Sequence, residues 1–374
     1  MRRKELVQEI LEPGIKNNRN ILSYAFGAGS ISKLDSILAA RSLVKDGKAI
    51  YLIDRFFEAN PKKLGKLPLS EKDVCIYVNT ENEPTTDYID NLMDGLLADR
   101  LEEPFAVIGI GGGITMDVAK ALSNLLTNGG HAEDYQGWDL VKVPGVYKIG
   151  IPTISGTGAE ATRTCVMTRP ATGLKLGMNS DHSVFDQLIL DPNLTTSVPH
   201  DQYFYTGMDA YIHCVEALNG HYRNAVGDAF SSQVIKLCRE VFLSDDIKSD
   251  GNREKLMVAS YLGGCAVAAT YVGVIHPFSA GLSVVLGMHH GIANCVAMTA
   301  MGEFYPKEVE EFGRMVEKQN IHIPSDVCSD LEREQYDLLY ESTIIHEKPL
   351  ANALGSDFRN ILTKEKVVEI FKSI

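Results

Sequence analysis

The chain has 374 residues, with 36 Lys and Arg against 49 Asp and Glu, giving a formal net charge of −13. With 45% hydrophobic and 23% charged residues it can bury a large core; disorder and collagen-like structure are excluded, and the length suggests two domains. An acidic total with no concentrated basic face argues against a nucleic-acid partner. Cys75, Cys165, Cys214, Cys238, Cys265, Cys295 and Cys328 include no CxxC pair, so they read as reduced, mostly buried thiols of a cytoplasmic protein and not as a zinc ribbon.

The first residues are basic, but Glu5, Glu9 and Glu12 follow without an apolar run, so no secretory signal is expected. Short β-rich runs then alternate with amphipathic stretches, the pattern of βαβ units and a parallel sheet. The expected strands are residues 48–54, 73–79, 105–110 and 147–151. The expected helices between them are 32–43, 88–101 and 115–126, the last with Thr115 as its N-cap. The Thr- and Gly-rich segment 155–190 reads as a hairpin or irregular excursion. Beyond Pro199 strand signals vanish, and helices are expected over 203–218, 226–243, 253–271, 291–304, 307–319 and 363–372. Leu262 to Met288 contains no Asp, Glu, Lys or Arg, and a bilayer span needs only about 20 apolar residues. Its Gly263-Gly264 and His276-Pro277 breaks favour two buried helices around a kink, so no membrane partner is expected.

Chemistry concentrates in two places. Gly111-Gly112-Gly113-Ile114-Thr115-Met116-Asp117 lies directly between an expected strand and an expected helix. Glycines there let the backbone approach a pyrophosphate, and a helix N-terminus offers free N–H groups; a tight turn without a ligand stays open. Asp54, ending another strand, can accept both ribose hydroxyls of NAD and would repel the extra phosphate of NADP, although a plain turn-capping role is equally compatible. A second loop, Pro152 to Glu160 with Thr153 and Thr157, offers hydroxyls to the same ligand. In the other half, Asp209 and His213 stand at i and i+4 on one helix face, and His276 and His290 lie in the uncharged stretch, where an imidazole needs a partner. One carboxylate and three imidazoles suit Fe(II) or Zn(II) and not Mg or Ca.

These motifs resemble the iron-containing (group III) alcohol dehydrogenase family, from FGAG at 26–29 through GGGITMDVAK at 111–120, PTISGTGAE at 152–160, DPNL at 191–194 and TGMDAYIH at 206–213 to HHGIAN at 289–294. The resemblance implies an α/β N-terminal nucleotide-binding domain with a parallel sheet, residues 1–197, and an all-helical C-terminal metal-binding and catalytic domain, residues 198–374. It implies Asp209, His213, His276 and His290 as metal ligands, and Gly112, Gly113, Thr153, Thr157 and Lys175 as cofactor contacts beside Asp54. The implied activity is oxidation of a primary alcohol to an aldehyde, with hydride passing to NAD rather than NADP and with Fe(2+) or Zn(2+) as the metal. A homodimer is implied as well.

Two positions depart from the family pattern. Ala280 stands where many members carry a further His near the nicotinamide, and His289 stands where relatives usually have Pro, as a substrate contact or a packed ring. Tyr135-Gln136-Gly137-Trp138-Asp139, with the sole Trp, resembles the branch acting on C8 of 3-deoxy-D-manno-octulosonate. That points to Trp138, His289 and the loop around Asp134, Tyr135 and Gln136 as sugar-acid contacts. Competing readings are an oxidase passing electrons to O2, a three-ligand glycerol dehydrogenase or dehydroquinate synthase type of enzyme, and a silent metal-binding scaffold.

Overall fold

The computed structural model describes residues 20–98 and 104–374; the N-terminal signal reading and the end of the helix expected over 88–101 lie outside them. Six parallel strands form the main sheet in the order β1 (Ser23–Phe26), β9 (Gln187–Leu190), β6 (Lys148–Pro152), β4 (Ala106–Gly111), β2 (Ala49–Asp54) and β3 (Val74–Val78). β4 and β6 are buried along their whole length, as central parallel strands covered on both faces require. Helices α1 (Leu34–Ser42), α3 (Thr86–Ala98) and α4 (Gly113–Asn128) flank the sheet, and a one-turn helix α2 (Phe56–Ala59) follows β2.

All four expected strands are present. β1 and β9 were not foreseen, because four residues are too few to show a period and β9 is buried throughout. Within the expected excursion, β7 (Thr164–Thr168) and β8 (Lys175–Asn179) make an antiparallel hairpin, and β5 (Gly137–Trp138) joins its edge. No strand follows Leu190 among the described residues. The helices there are α5 (His200–Leu218), α6 (Ala225–Phe242), α7 (Asp250–Ala269), α8 (Ile275–Leu286), α9 (His290–Thr299), α10 (Pro306–Gln319), α11 (Arg333–Ile344), α12 (Glu347–Leu354), α13 (Phe358–Ile361) and α14 (Lys364–Lys372). The uncharged stretch divides between α7 and α8 around a break at 270–274, and no described helix is long and apolar enough to cross a membrane. All seven cysteines are free, and six of them are buried.

The Pro152–Glu160 loop joins the sheet to the helices. Gly158, at φ +62°, sits so close to Gly264 of α7 that a Cβ on either would meet the other's backbone, 2.7 Å from Gly264 Cα or 2.3 Å from Gly158 O. Beside this seam the Ser260 hydroxyl donates to the buried Glu160 carboxyl at 2.7 Å.

Candidate metal and nucleotide cleft

The C-terminal ends of β2, β4 and β6 lie side by side, where open parallel sheets usually present their ligands. They form one wall of a cleft of about 1050 Å³, and the helices supply the other.

On the helical wall, α5 carries Asp209, His213 and Glu216 at i, i+4 and i+7, all on one face and all buried. Asp209 Oδ1 lies 3.3 Å from His276 Nε2 and 3.5 Å from His213 Nε2, and Oδ2 lies 3.6 Å from His290 Nε2. The His213 and His276 rings stack at 4.7 Å between centroids. The structure thus gathers all four residues from three helices. Donor atoms of Asp209, His276 and His290 lie within 4.8 Å of one another.

Burial opposes charge on His276, yet the Glu216 and Asp209 carboxylates outweigh it and push that imidazole up to about 9. Burial, resisted by Asp209 and helped by Lys175, pushes His290 down to about 4. Asp209 is held well below the usual carboxylate range despite its burial, because His213, His290 and His276 surround it. His213 Nδ1, His290 Nδ1 and Asn294 Oδ1 are buried without a partner. A carboxylate and three imidazole nitrogens aimed at one another, with unsatisfied polar atoms behind them, fit a divalent transition metal.

Two residues of this centre escaped the sequence reading. Glu216 Oε2 bonds His276 Nδ1, while Oε1 accepts the Ile275 and His276 backbone N–H groups at 2.5 and 3.4 Å, so the ring is held with Nε2 toward Asp209. Asn294, one turn after His290, donates from Nδ2 to Asp209 Oδ1 at 2.7 Å. Helical spacing was the available signal for both. Glu216→Gln should weaken metal affinity roughly 10- to 100-fold, the usual effect of losing such a partner, while circular dichroism stays unchanged. Calorimetric titration with Zn(II) checks it, and unaltered affinity would deny Glu216 that role.

On the sheet wall, Asp54, Gly112, Gly113, Asp117, Thr153 and Thr157 line the cleft. Asp54 Oδ1 accepts from Phe56 N at 2.9 Å and Thr80 Oγ1 at 3.1 Å, so a turn-capping role is present whatever else it binds. Asp117 lines the floor, bonded to Val166 N at 2.9 Å, and burial pushes its carboxyl up to about 6. Lys175 faces the cleft, but its Nζ already pairs with Glu83 at 2.9 Å, a partner not anticipated.

Several expectations need correction. Gly111 and Thr115 do not line the cleft: Gly111 ends β4, and Thr115 is fully buried behind it, its Oγ1 only 2.4 Å from where a Cβ on Gly111 would sit. Thr115 is not the N-cap either. Gly112 caps α4 in extended conformation, and Gly113 begins the helix packed against Thr157. Of the expected sugar loop, Asp134 caps its own turn and Tyr135 bonds the 128–129 backbone, while Gln136, Gly137 and Trp138 line the cleft. His289 and Ala280 also line it.

The fold and site together define a class in which a glycine-turn nucleotide wall faces a carboxylate–imidazole centre. The sequence matches the iron-containing alcohol dehydrogenase family over residues 23–192 and the C-terminal domain of the Fe-containing alcohol dehydrogenase family over 203–339. The chain belongs to the iron-containing alcohol dehydrogenase family. It is 34% identical over 222 residues to the sulfoacetaldehyde reductase of Bilophila wadsworthia, spanning 58% of this chain and 56% of that protein. It is 33% identical over 231 residues to the NAD-dependent methanol dehydrogenase of Bacillus methanolicus, spanning 60% and 59%. These alignments therefore cover less than two thirds of the relatives' own length. The crystal structure of a 1,3-propanediol oxidoreductase superposes with a TM-score of 0.80 over 98% of this chain and 99% of that one, at 20% identity, and so shares the fold.

Proposed function

We propose that the protein interconverts a primary alcohol and its aldehyde, passing hydride to NAD, with Fe(2+) held by Asp209, His213, His276 and His290. One observation carries this reading: a single cleft has the glycine turn and Asp54 on one wall and the Asp209 centre on the other. The metal would supply Lewis acidity to the substrate oxygen, and the nicotinamide would accept the hydride. The residues do the rest. A single carboxylate among four ligands leaves half of a divalent charge uncancelled, Glu216 fixes the His276 tautomer, and the burial of Asp209 and His213 shields the helical side of the centre. Gly112 and Gly113 admit a pyrophosphate to the α4 N-terminus, and Asp54 selects the unphosphorylated ribose.

The test is nicotinamide reduction by protein reconstituted with Fe(II) or Zn(II), given NAD or NADP and alcohols from methanol and propanediol to 3-deoxy-D-manno-octulosonate. The sugar acid is the finer substrate proposal, resting on the Tyr135–Asp139 resemblance. NADH formation with any alcohol supports the reading, and turnover of the sugar acid supports the finer one. Peroxide in air without NADH would move the function to an oxidase.

The three-ligand alternative draws on one feature, the tight trio of Asp209, His276 and His290. His213→Ala distinguishes the two. A four-ligand centre should lose metal affinity by at least about tenfold, since each direct ligand matters at least as much as its hydrogen-bonded supports; undiminished Zn(II) affinity would favour three ligands.

A further inference from the structure

At the cleft mouth, aromatic and cationic side chains from both halves meet. Trp138, at the end of β5, packs edge-on against Tyr271 at 5.6 Å between ring centroids, and Tyr271 in turn meets Tyr222 at 5.3 Å. Lys348, in the first turn of α12, places Nζ 3.5 Å from the Trp138 ring centroid and 5.9 Å from that of Tyr271. Trp138, Tyr271 and Lys348 all line the cleft.

The charges around Lys348 are unequally matched. Arg163, also lining the cleft, pairs with Asp139 and with Asp181 at 3.0 Å, and Arg359 pairs with Glu347 at 2.7 Å. Among the described residues no carboxylate forms an ion pair with Lys348; Asp139, whose field reaches it, is already engaged by Arg163. A ring face holds an ammonium group through its quadrupole without cancelling its charge. Lys348 is therefore oriented by Trp138 while its positive charge stays available to the cleft. Lys348 and His346, two residues earlier, line the same cleft as His276 and His290.

We infer that Lys348, held on Trp138, anchors an anionic group of the substrate, so that the protein prefers alcohols or aldehydes carrying a carboxylate at the end remote from the reacting carbon. This deepens the proposed alcohol oxidation and rests on it. The contact is a charge-assisted hydrogen bond, partly desolvated by the Trp138 and Tyr271 rings.

The probes are a matched pair, butanoate hydroxylated at its terminal carbon and butanediol with two terminal hydroxyls. With the metal-loaded enzyme and NAD, the ratio of kcat/KM for the acid to that for the diol should fall roughly 10- to 100-fold in Lys348→Met, mainly through KM, as loss of one charged hydrogen bond predicts. An unchanged ratio overturns the inference. Trp138 is the only tryptophan, so its emission reads the anchor directly without turnover. The acid should change that emission saturably and the diol should not; no response to the acid, or an equal response to both, overturns the inference. Should neither compound reduce NAD while emission responds to the acid alone, the alcohol-oxidation reading falls and the anchor stands.

Discussion

Asp209→Asn should reduce metal affinity, and nicotinamide reduction with it, by roughly 100- to 1,000-fold, because breaking a buried charge cluster by removing one partner costs about 3–5 kcal/mol. Both Asp209 oxygens are committed, Oδ1 toward His213, His276 and Asn294 and Oδ2 toward His290. An amide of the same shape keeps the packing but removes the only anion among the four residues, and one of its faces presents N–H groups to imidazole nitrogens. Metal content after dialysis and initial rates with NAD measure the effect. A variant that keeps its metal and stays within threefold of the parent rate would remove Asp209 from the centre of the argument.

Gly156→Ala should destabilise the fold by more than about 4 kcal/mol or prevent it from forming, the range reserved for severe backbone conflicts. Gly156 has φ +139°, a region L side chains rarely adopt, and a Cβ there would lie 1.7 Å from Thr206 O and 2.7 Å from Gly207 Cα. Those atoms belong to α5, whose next turn carries Asp209, so the loop cannot retreat without losing its seat beside the centre. Urea denaturation followed by circular dichroism gives the comparison. A midpoint within about 1 kcal/mol of the parent would mean that the loop relaxes freely.

Much of this was readable from the residues, and the reasons differ by element. The buried runs of β2, β4 and β6 and the long helices α5, α6 and α10 announce themselves, since apolar spacing over five or more residues has few other readings. The metal residues were legible because Asp209 and His213 share a helix face and because His276 and His290 sit where uncharged surroundings make an imidazole conspicuous. Glu216 stayed hidden although its i+7 spacing from Asp209 continues the same face, since spacing places a carboxylate on that face but does not say which ring it supports. Thr115 misled through a local preference: hydroxyls favour helix starts, but Gly112 holds that place, where a Cβ would lie only 3.0 Å from the Ile154 side chain. Lys348 and Trp138 are separated by two hundred residues of chain, and only the fold brings them together.

The seam at Gly158 and Gly264 has a consequence for how the two walls move. Side chains can change rotamer and let neighbours drift, whereas two backbones in direct contact have no such freedom. Gly158 directly follows Thr157, which lines the cleft, and Gly264 lies on α7 among the C-terminal helices, so the seam sets a hard stop to closer approach. At the seam the two backbones already touch, so the loop and α7 have one closest approach. A displacement of about 1 Å between reacting groups can slow a reaction a hundredfold. On this chain that spacing rests on two hydrogen atoms in place of side chains, which makes the closeness of the loop and α7 a property of the backbone.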